Sequence, residues 1–304
     1  MDELKLIETY KDGRASLAEL YENFLRLEEK YGWKKEVIYS IKISSPKGEV
    51  EVPVYCFLSP KQGESLWLLT GIHGEEPAGP NAVSRWIDLI GRLGQIKPMV
   101  VMPLLNPAGY YRNWRFHHIE RSLERLNVTD CRHLIADVKD SSKPILAKPI
   151  HGIADTVTKY ILKLLETYPP LVYFDLHEDE LITEGYVYSQ GGLADRDPIA
   201  AKTVELLRSE GLLLKTTGLT RFGEKVNKGV VIDESGGRVR DGSIDEFIAN
   251  ETYFDEQGKI TSKPFAKTSI VTETPTRGDL TLEDRIRAQE SIVRHLEDLG
   301  RLAM

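Results

Sequence analysis

The sequence predicts an α/β fold in which a sheet lies between two layers of helices. Three short apolar runs, at residues 65–70, 99–103 and 171–176, have the length and continuity of strands that are buried on both faces. Amphipathic stretches separate these runs, and strands that alternate with helices are typical of such sheets. No repeat or Pro/Ser-rich linker divides the chain, so we expect one domain over residues 1–304.

The elements of the N-terminal half follow from local patterns. Apolar residues at helical spacing predict the first helix, and Pro77 suits the first position of a later one, where its missing N–H costs nothing. In chain order the patterns predict a helix at 16–31, strands at 35–43 and 49–58, a strand at 65–71, a helix at 77–93, a strand at 99–103 and a loop at 106–109.

The C-terminal half shows the same alternation after a polar segment at 115–150, to which no element is assigned. Residues 218–264 are rich in glycine and charge, which favours a long surface excursion. The remaining patterns predict a helix at 155–167, strands at 171–177 and 186–189, a helix at 198–209, a strand at 268–272 and a helix at 282–299.

The composition narrows the class of protein. In 304 residues, 41% are hydrophobic and 29% are charged, as in an ordinary soluble enzyme. The net charge of −7 argues against a nucleic-acid-binding surface, and two cysteines cannot form a disulfide framework or a Cys-rich zinc module. The first residues contain no apolar signal core and no run is long enough to span a bilayer, so we expect a cytoplasmic protein.

A histidine and a glutamate three residues apart, His73 and Glu76, follow the apolar run at 65–70. A strand ends and a helix begins there, and α/β proteins commonly bind ligands at such junctions. An imidazole and a carboxylate at this spacing can chelate zinc, and a catalytic zinc site needs a third protein ligand. His177 closes another buried strand at the same expected edge. The sequence therefore predicts that His73, Glu76 and His177 bind one zinc ion per chain.

Two further carboxylates lie at strand ends. Asp175 is two residues before His177, on the same side of its strand, where it would either orient an imidazole ligand or cap a loop. Glu273 ends the strand at 268–272, and a carboxylate there can take a proton from a zinc-activated water and pass it to a leaving amine. We therefore predict Glu273 as the general base. Its rivals are Glu75, Glu178, Asp179 and Glu180.

Two arginines follow the predicted strand at 99–103 and the loop after it. Arg112 and Arg115 are three residues apart, so both side chains can approach one crevice from a single turn. Guanidinium groups bind carboxylates with two parallel hydrogen bonds and stabilise the charge of an oxyanion. We expect one of the two to stabilise an oxyanion and the other to hold a substrate carboxylate.

The order of these motifs resembles that of the zinc carboxypeptidases related to carboxypeptidase A. The resemblance implies that His73, Glu76 and His177 are ligands, that Arg115 polarises the scissile carbonyl and that Glu273 is the general base and acid. Arg112 is then left to hold the substrate carboxylate. A three-layer α/β/α fold with a mixed, twisted sheet of about eight strands is also implied. The motifs, within residues 71–275, are His73-x-x-Glu76, Asn106-Pro107-x-Gly109, Arg112-x-Trp114-Arg115, Asp175-x-His177 and Glu273.

The carboxylate clamp of that family is the point of departure. Its members carry an Asn-Arg pair after the Trp-Arg motif, whereas residues 124–130 of this chain contain no Asn-Arg dipeptide. Arg125 and Asn127 are candidates to replace it. A tyrosine that often covers the site in this family has three candidate matches, which are Tyr186, Tyr188 and Tyr253.

The leading interpretation is a zinc metallopeptidase that hydrolyses an amide bond in a small peptide or amino-acid conjugate, without a nucleic-acid or membrane partner. An N-acyl-amino-acid deacylase resembling succinylglutamate desuccinylase and aspartoacylase would use the same metal motifs. The pairs Trp114-Arg115 and Glu273-Thr274 favour the peptidase, while the missing Asn-Arg pair keeps the deacylase open. A third interpretation is a non-catalytic binding protein on a degenerate peptidase fold.

Overall fold

The computed structural model describes residues 2–116, 140, 142–143, 152–191, 193–232, 243–255 and 257–303. Its α-helices are α1 (Leu17–Tyr31), α2 (Ala78–Arg85), α3 (Ile87–Leu93), α4 (Pro107–Arg112), α5 (Gly152–Leu164), α6 (Pro198–Ser209), α7 (Ile244–Ala249), α8 (Leu282–Arg294) and α9 (Leu296–Arg301). Its strands are β1 (Lys34–Ser45), β2 (Gly48–Leu58), β3 (Ser65–Thr70), β4 (Met99–Met102), β5 (Pro170–Asp179), β6 (Tyr186–Ser189), β7 (Thr217–Leu219), β8 (Lys225–Asn227), β9 (Val230–Ile232), β10 (Thr252–Phe254), β11 (Ile260–Ser262) and β12 (Thr268–Pro275).

Ten of the described strands form one mixed sheet in the order β1-β2-β4-β3-β5-β12-β6-β9-β8-β7. The central strands β4, β3, β5 and β12 run parallel to their neighbours within this group. The flanking pairs β1–β2, β2–β4 and β12–β6 are antiparallel. The predicted mixed α/β sheet is confirmed, and it is wider than the expected eight strands.

The alternation of side chains along the central strands divides the core into two apolar layers. Leu66 and Leu68 of β3 pack with helices α1, α2, α3, α6 and α8 on one face of the sheet. Trp67 and Leu69 point the other way and pack with α5 and α7. Since successive strand residues face opposite sides, this pattern confirms the α/β/α layering. In the described ranges, no helix has both the length and the apolar character that a bilayer crossing requires.

The register of the parallel strands sets the position of the polar residues at their carboxyl ends. Thr70, the last residue of β3, pairs with Leu176 of β5. On the other side of β5, His177 is level with Glu273 of β12. Because parallel strands end at the same edge of a sheet, the residues that follow β3 meet the ends of β5 and β12 there.

The described residues of the segment at 218–264 form more helix and strand than predicted. Strands β8 and β9 and part of β7 belong to it, and they extend the main sheet beyond β6. Helix α7 is buried along its length, with Phe247 and Ile248 in the core. The expectation of a surface excursion was therefore wrong, because short strands of three residues carry too little periodicity to be recognised in a glycine-rich sequence.

Three smaller differences concern helices. The predicted helix at 77–93 is two helices, since Trp86 leaves the helical conformation at φ −107° and ψ 20°. His295 divides the predicted helix at 282–299 in the same way. The predicted loop at 106–109 is the start of α4, where the Asn106 side chain accepts a hydrogen bond from the Gly109 N–H. An Asn cap followed by Pro is a start signal that the sequence interpretation missed.

The loop after β3 is packed against the segment after α4 by backbone contacts. The Gly74 N–H donates to the carbonyl of Arg115 over 3.2 Å. The buried Arg14 guanidinium donates to the carbonyls of Gly74 and Tyr110, over 3.2 and 2.7 Å. A Cβ atom on Gly74 would lie 2.0 Å from the carbonyl carbon of Gly109, so only glycine fits here.

We therefore predict that Gly74→Ala destabilises the protein by at least about 3 kcal/mol, because a backbone cannot yield to the new methyl group as a side chain can. Denaturant unfolding measures the loss. Gly300→Ala is the matched control, since its Cβ would meet only side-chain atoms of Leu66, at 2.9 Å or more. Equal unfolding midpoints for the two variants would contradict this account of the loop.

Candidate active site

The three predicted metal ligands meet at the carboxyl edge of the parallel strands. His73 and Glu76 lie in the segment between β3 and α2, and His177 lies near the end of β5. Their candidate donor atoms all lie within 4.8 Å of one another, which in the described part of the chain is true of no other group of histidine, cysteine and acidic side chains. The spacing of His73 and Glu76 and the register of the strands therefore place all three side chains at one site.

The carboxylate of Glu76 lies between the two imidazoles. Its Oε1 atom is 2.9 Å from Nδ1 of His73, and its Oε2 atom is 2.9 Å from Nδ1 of His177. The ring centroids of the two histidines are 4.9 Å apart. Both histidines thus present the same nitrogen, Nδ1, toward the shared centre.

Asp175 forms an ion-pair contact with the His177 ring on the side opposite Glu76. Its Oδ1 atom lies 3.2 Å from Nε2 of His177, and its Oδ2 atom accepts a hydrogen bond of 2.7 Å from the Tyr173 hydroxyl. A carboxylate that holds one ring nitrogen leaves the other nitrogen for a metal. Of the two roles that the sequence left open for Asp175, the geometry favours orientation of the imidazole.

The protonation states of the cluster are set by burial and by the mutual charges. Burial, together with the nearby Arg115, lowers the pKa of His73 to about 4, so this imidazole is neutral. Burial opposes the charge on Glu76, but His73 and His177 outweigh it and hold the pKa of the carboxyl well below its ordinary value. Burial likewise opposes charge on His177, yet Asp175 and Glu76 raise its pKa well above the usual range.

These residues fit a zinc ion by their chemistry. Two imidazole nitrogens and one carboxylate oxygen form a common set of ligands in catalytic zinc sites. A neutral His73 and an ionised Glu76 are already in the states that ligate a metal. The protonated state of His177 balances the two buried carboxylates beside it, so metal binding there would release a proton.

Arg115 lies at the edge of the cluster and lines the adjoining crevice. Its Nη1 atom donates to Glu76 over 2.9 Å and contacts Glu75 at 3.3 Å. Its backbone carbonyl accepts hydrogen bonds from the Gly74 N–H and from the Asn106 side chain, which fixes the main chain at Arg115. The predicted oxyanion-stabilising cation is thus placed beside the candidate metal ligands.

Arg112 is placed differently from Arg115. Its guanidinium stacks over the ring of Trp114, 4.9 Å from the centroid. Arg112 is not among the described residues that line the crevice, whereas Arg115 is. The predicted role of Arg112 in holding a substrate carboxylate stays a prediction.

Glu273 lines the crevice on the other side of the cluster. Burial raises the pKa of its carboxyl to about 8, against the opposing effects of the His177 and Arg115 charges. A carboxyl group with a pKa near neutrality can both accept and release a proton in the working range of most enzymes. This position and this proton affinity suit a general base and acid.

The rival carboxylates are engaged elsewhere. Glu178 accepts hydrogen bonds from the Ala78 N–H over 2.7 Å and from Arg285 over 2.6 Å, so both of its oxygens support α2 and α8. Glu75 contacts Arg115. These partners favour Glu273 over Glu178 and Glu75 as the group that faces a substrate.

The crevice beside the cluster has an open volume of about 670 Å³. Most residues that line the crevice were not predicted. They come largely from β6, the β7–β8 turn and α7, which are distant in sequence and carry no motif. Of the three candidate tyrosines, Tyr188 lines this crevice. The wall residues that were not predicted are Ile72, Gln190, Arg221, Phe222, Ser243, Ile244, Asp245 and Val271.

The other two candidate tyrosines lie elsewhere. Tyr253 packs edge-on against Phe247, with ring centroids 6.5 Å apart, and Tyr186 is fully buried beside Asp179. Arg125 and Asn127, the predicted substitutes for the carboxylate clamp, lie outside the described residues.

Comparison with known proteins gives a clear result only at the level of structure. No protein-family model matches the sequence, and no curated protein matches it either. A candidate metallopeptidase from Shewanella amazonensis superimposes with a TM-score of 0.65 at 21% identity, covering 90% of each chain. The fold is that of the metallo-carboxypeptidases.

Two further structures support this assignment of the fold. A metallo-carboxypeptidase from Burkholderia cenocepacia matches with a TM-score of 0.55 at 9% identity, over 95% of this chain and 70% of that one. Carboxypeptidase A from Helicoverpa armigera matches with a TM-score of 0.54 at 13% identity, over 96% and 74%. The resemblance inferred from short motifs is thereby confirmed for the metallo-carboxypeptidase fold as a whole.

We predict that His73→Ala sharply lowers zinc affinity while leaving most of the fold intact, because the ring lies at the end of a loop and supplies one of three ligands. Zinc per chain, measured by mass spectrometry after gel filtration, gives the result. His295→Ala is the control, since that ring contacts the Ser291 carbonyl between α8 and α9. One full zinc per chain in a His73→Ala/His177→Ala double variant would contradict the assignment.

Proposed function

We propose that this protein is a zinc-dependent hydrolase of the carboxypeptidase type, which cleaves an amide bond in a small peptide or amino-acid conjugate. One observation carries the proposal. On a metallo-carboxypeptidase fold, the candidate ligands His73 and His177, the cation of Arg115 and the carboxyl of Glu273 line one crevice, and the third candidate ligand, Glu76, contacts both imidazoles. Each class of group that metal-assisted amide hydrolysis needs is thus present in one place.

The metal ligands are held by groups behind them. Oδ1 of Asp175 lies 3.2 Å from Nε2 of His177, and the Glu178 N–H donates to Oε2 of Glu76 over 3.2 Å. When bound, a zinc ion would supply Lewis acidity toward a carbonyl group or a water molecule. The ligand side chains therefore need little rearrangement of their own orientation to bind it.

Glu273 holds and moves the proton in this proposal. Its carboxylate would accept a proton from the attacking water and give it to the nitrogen of the leaving amine. Burial raises the pKa of this carboxyl to about 8, so both of its protonation states are accessible close to neutral pH.

Arg115 stabilises negative charge on the substrate oxygen in this proposal. Its guanidinium is held by Glu76 and Glu75, and its backbone carbonyl accepts hydrogen bonds from Gly74 and Asn106, so the side chain is oriented before the substrate binds. Preorganised donors of this kind act mainly when charge develops in the transition state. The arginine is therefore assigned to catalysis rather than to ground-state binding.

The proposal is tested by assaying release of amine from three matched substrates. These are a dipeptide conjugate with a free C-terminal carboxylate, its C-terminal amide, and an N-acyl amino acid. Cleavage of the peptide substrates, lost on chelation and restored by zinc, supports the proposed peptidase. Cleavage of the N-acyl amino acid alone indicates the deacylase, and cleavage of none of them by a zinc-loaded protein contradicts both.

We predict that Glu273→Gln lowers kcat by roughly 10²–10⁴-fold, because the amide keeps the shape of the side chain but cannot accept the proton. Zinc content should stay at the wild-type value. Glu180→Gln serves as the control, since it removes another carboxylate from the mouth of the crevice. Wild-type kcat in Glu273→Gln would transfer the role to another group.

We predict that Arg115→Ala lowers kcat by roughly 10²–10³-fold with little change in KM, as loss of one oxyanion donor typically does. Because Arg115 also contacts Glu76, zinc content has to be measured alongside the kinetics. Arg115→Lys, which keeps the charge, should recover part of the loss. A change confined to KM would show instead that Arg115 anchors the ground-state substrate.

A further inference from the structure

We propose that Arg221, at the tip of the β7–β8 hairpin, is the residue that anchors a carboxylate of the substrate. The inference rests on the proposed hydrolase function, which it extends to the class of substrate. Arg221 lines the crevice together with Arg115, His177 and Glu273, although it lies outside every motif found in the sequence. It also borders the adjoining acidic pocket on the side of Asp179.

The hairpin tip is held in a defined position. Thr220 and Glu224 close the turn, with the Thr220 N–H donating to the Glu224 carbonyl over 2.8 Å. Gly223 takes a positive φ of 87°, which permits the tight reversal. The Tyr188 hydroxyl donates to the Glu224 carboxylate over 2.9 Å and ties the turn to β6. Arg221 therefore projects from a fixed support rather than from a loose loop.

The guanidinium of Arg221 is oriented through one of its nitrogens only. Its Nε atom donates to Oδ2 of the buried Asp179 over 2.6 Å. Asp179 is itself fixed, because its Oδ1 atom accepts from the Leu181 N–H over 2.8 Å. Within the described residues, the two terminal nitrogens of Arg221 make no hydrogen bond to the protein. The guanidinium plane also packs on Phe222, 4.2 Å from the ring centroid.

The two terminal nitrogens of Arg221 are therefore the donors that could bind a carboxylate. Two parallel N–H groups of a guanidinium match the two oxygens of a carboxylate, and such charged pairs are stronger than neutral hydrogen bonds. Arg115 differs, since its Nη1 atom donates to Glu76 and contacts Glu75. The two arginines of the crevice are therefore equipped for different groups of one substrate.

The charge of the surroundings makes a direct contact necessary. The crevice and the pocket beside it also carry the acidic side chains of Glu75, Glu180 and Asp245. Their combined field repels an anion, so a substrate carboxylate gains little from general attraction and needs a bonded cation. Phe222, with 59% of its surface exposed, provides an apolar face beside that cation.

Kinetics on a matched substrate pair test the proposal. The pair is N-benzoylglycyl-phenylalanine and its C-terminal amide, assayed with the zinc-loaded protein. Arg221→Ala should raise KM for the acid by about 10- to 100-fold, as expected for loss of charge-assisted hydrogen bonds. KM for the amide and kcat for both should change less than about threefold. Arg221→Lys keeps the charge opposite Asp179 and should give an intermediate KM for the acid.

Two further variants complete the design. Arg277→Ala is the matched control, because this exposed arginine donates to the Glu180 carbonyl near the crevice but does not line it. It should leave both KM values unchanged.

Arg112→Ala tests the rival anchor. A selective loss for the acid in Arg112→Ala, and not in Arg221→Ala, would overturn the assignment of Arg221. If Arg221→Ala and Arg221→Lys raise KM equally for the acid and the amide, Arg221 is only a structural partner of Asp179. That result would also overturn its assignment as the anchor.

A binding measurement separates this inference from the proposed function. Calorimetric titration of the zinc-loaded protein with 3-phenylpropanoate and with 3-phenylpropanamide does not depend on turnover. The acid should bind Arg221→Ala about 10- to 100-fold more weakly than the wild type, with no such change for the amide. Equal affinity of the acid for both proteins would refute the anchor. If this selective weakening occurs in a protein that cleaves neither peptide substrate, the peptidase proposal fails and the carboxylate anchor stands.

Discussion

The carboxylate of Glu76 is buried at the carboxyl edge of the central strands and contacts four groups from three segments of the chain. Its partners are His73, His177, the backbone N–H of Glu178 and the guanidinium of Arg115. An unpaired charge at such a position would cost several kcal/mol, so the carboxylate is tolerated only where all these groups are in place. The constraint couples the two strand ends, the loop after β3 and the segment after α4.

A second buried charge stabilises the contact between the loop after β3 and the segment after α4. Arg14 precedes the first helix, yet its guanidinium reaches the carbonyls of Gly74 and Tyr110 and the side chain of Asn113. Asp12 neutralises it through Nε and Nη2. The N-terminal segment thereby fixes the distance between the loop that bears His73 and the segment that bears Arg115. The site consequently depends on packing well outside the crevice.

The parts of this arrangement that the sequence predicts are those with a local cause. Apolar runs of four to eight residues predicted β3, β4, β5 and β12, and parallel strands end together, so His73, His177 and Glu273 were expected at one edge. The break at Trp86 and the cap at Asn106 were missed, because helix ends depend on single residues whose signals are weak beside a longer pattern. The strand-end position of Glu273 predicted its role as the base, whereas the family resemblance assigned the oxyanion role to Arg115, and both roles stay predictions.

The parts that could not be predicted depend on contacts between distant segments. Arg14, Asp179 and Arg221 carry no motif, and only the folded chain shows that Asp179 holds Arg221 while Arg14 holds Gly74. Asp179 follows His177 by two residues on the same strand. The strand that bears a candidate ligand therefore also orients the hairpin arginine, and a shift of β5 would move both together. The candidate ligand His177 and the proposed carboxylate anchor Arg221 thus depend on one strand, whereas Arg115 approaches the crevice from the segment after α4.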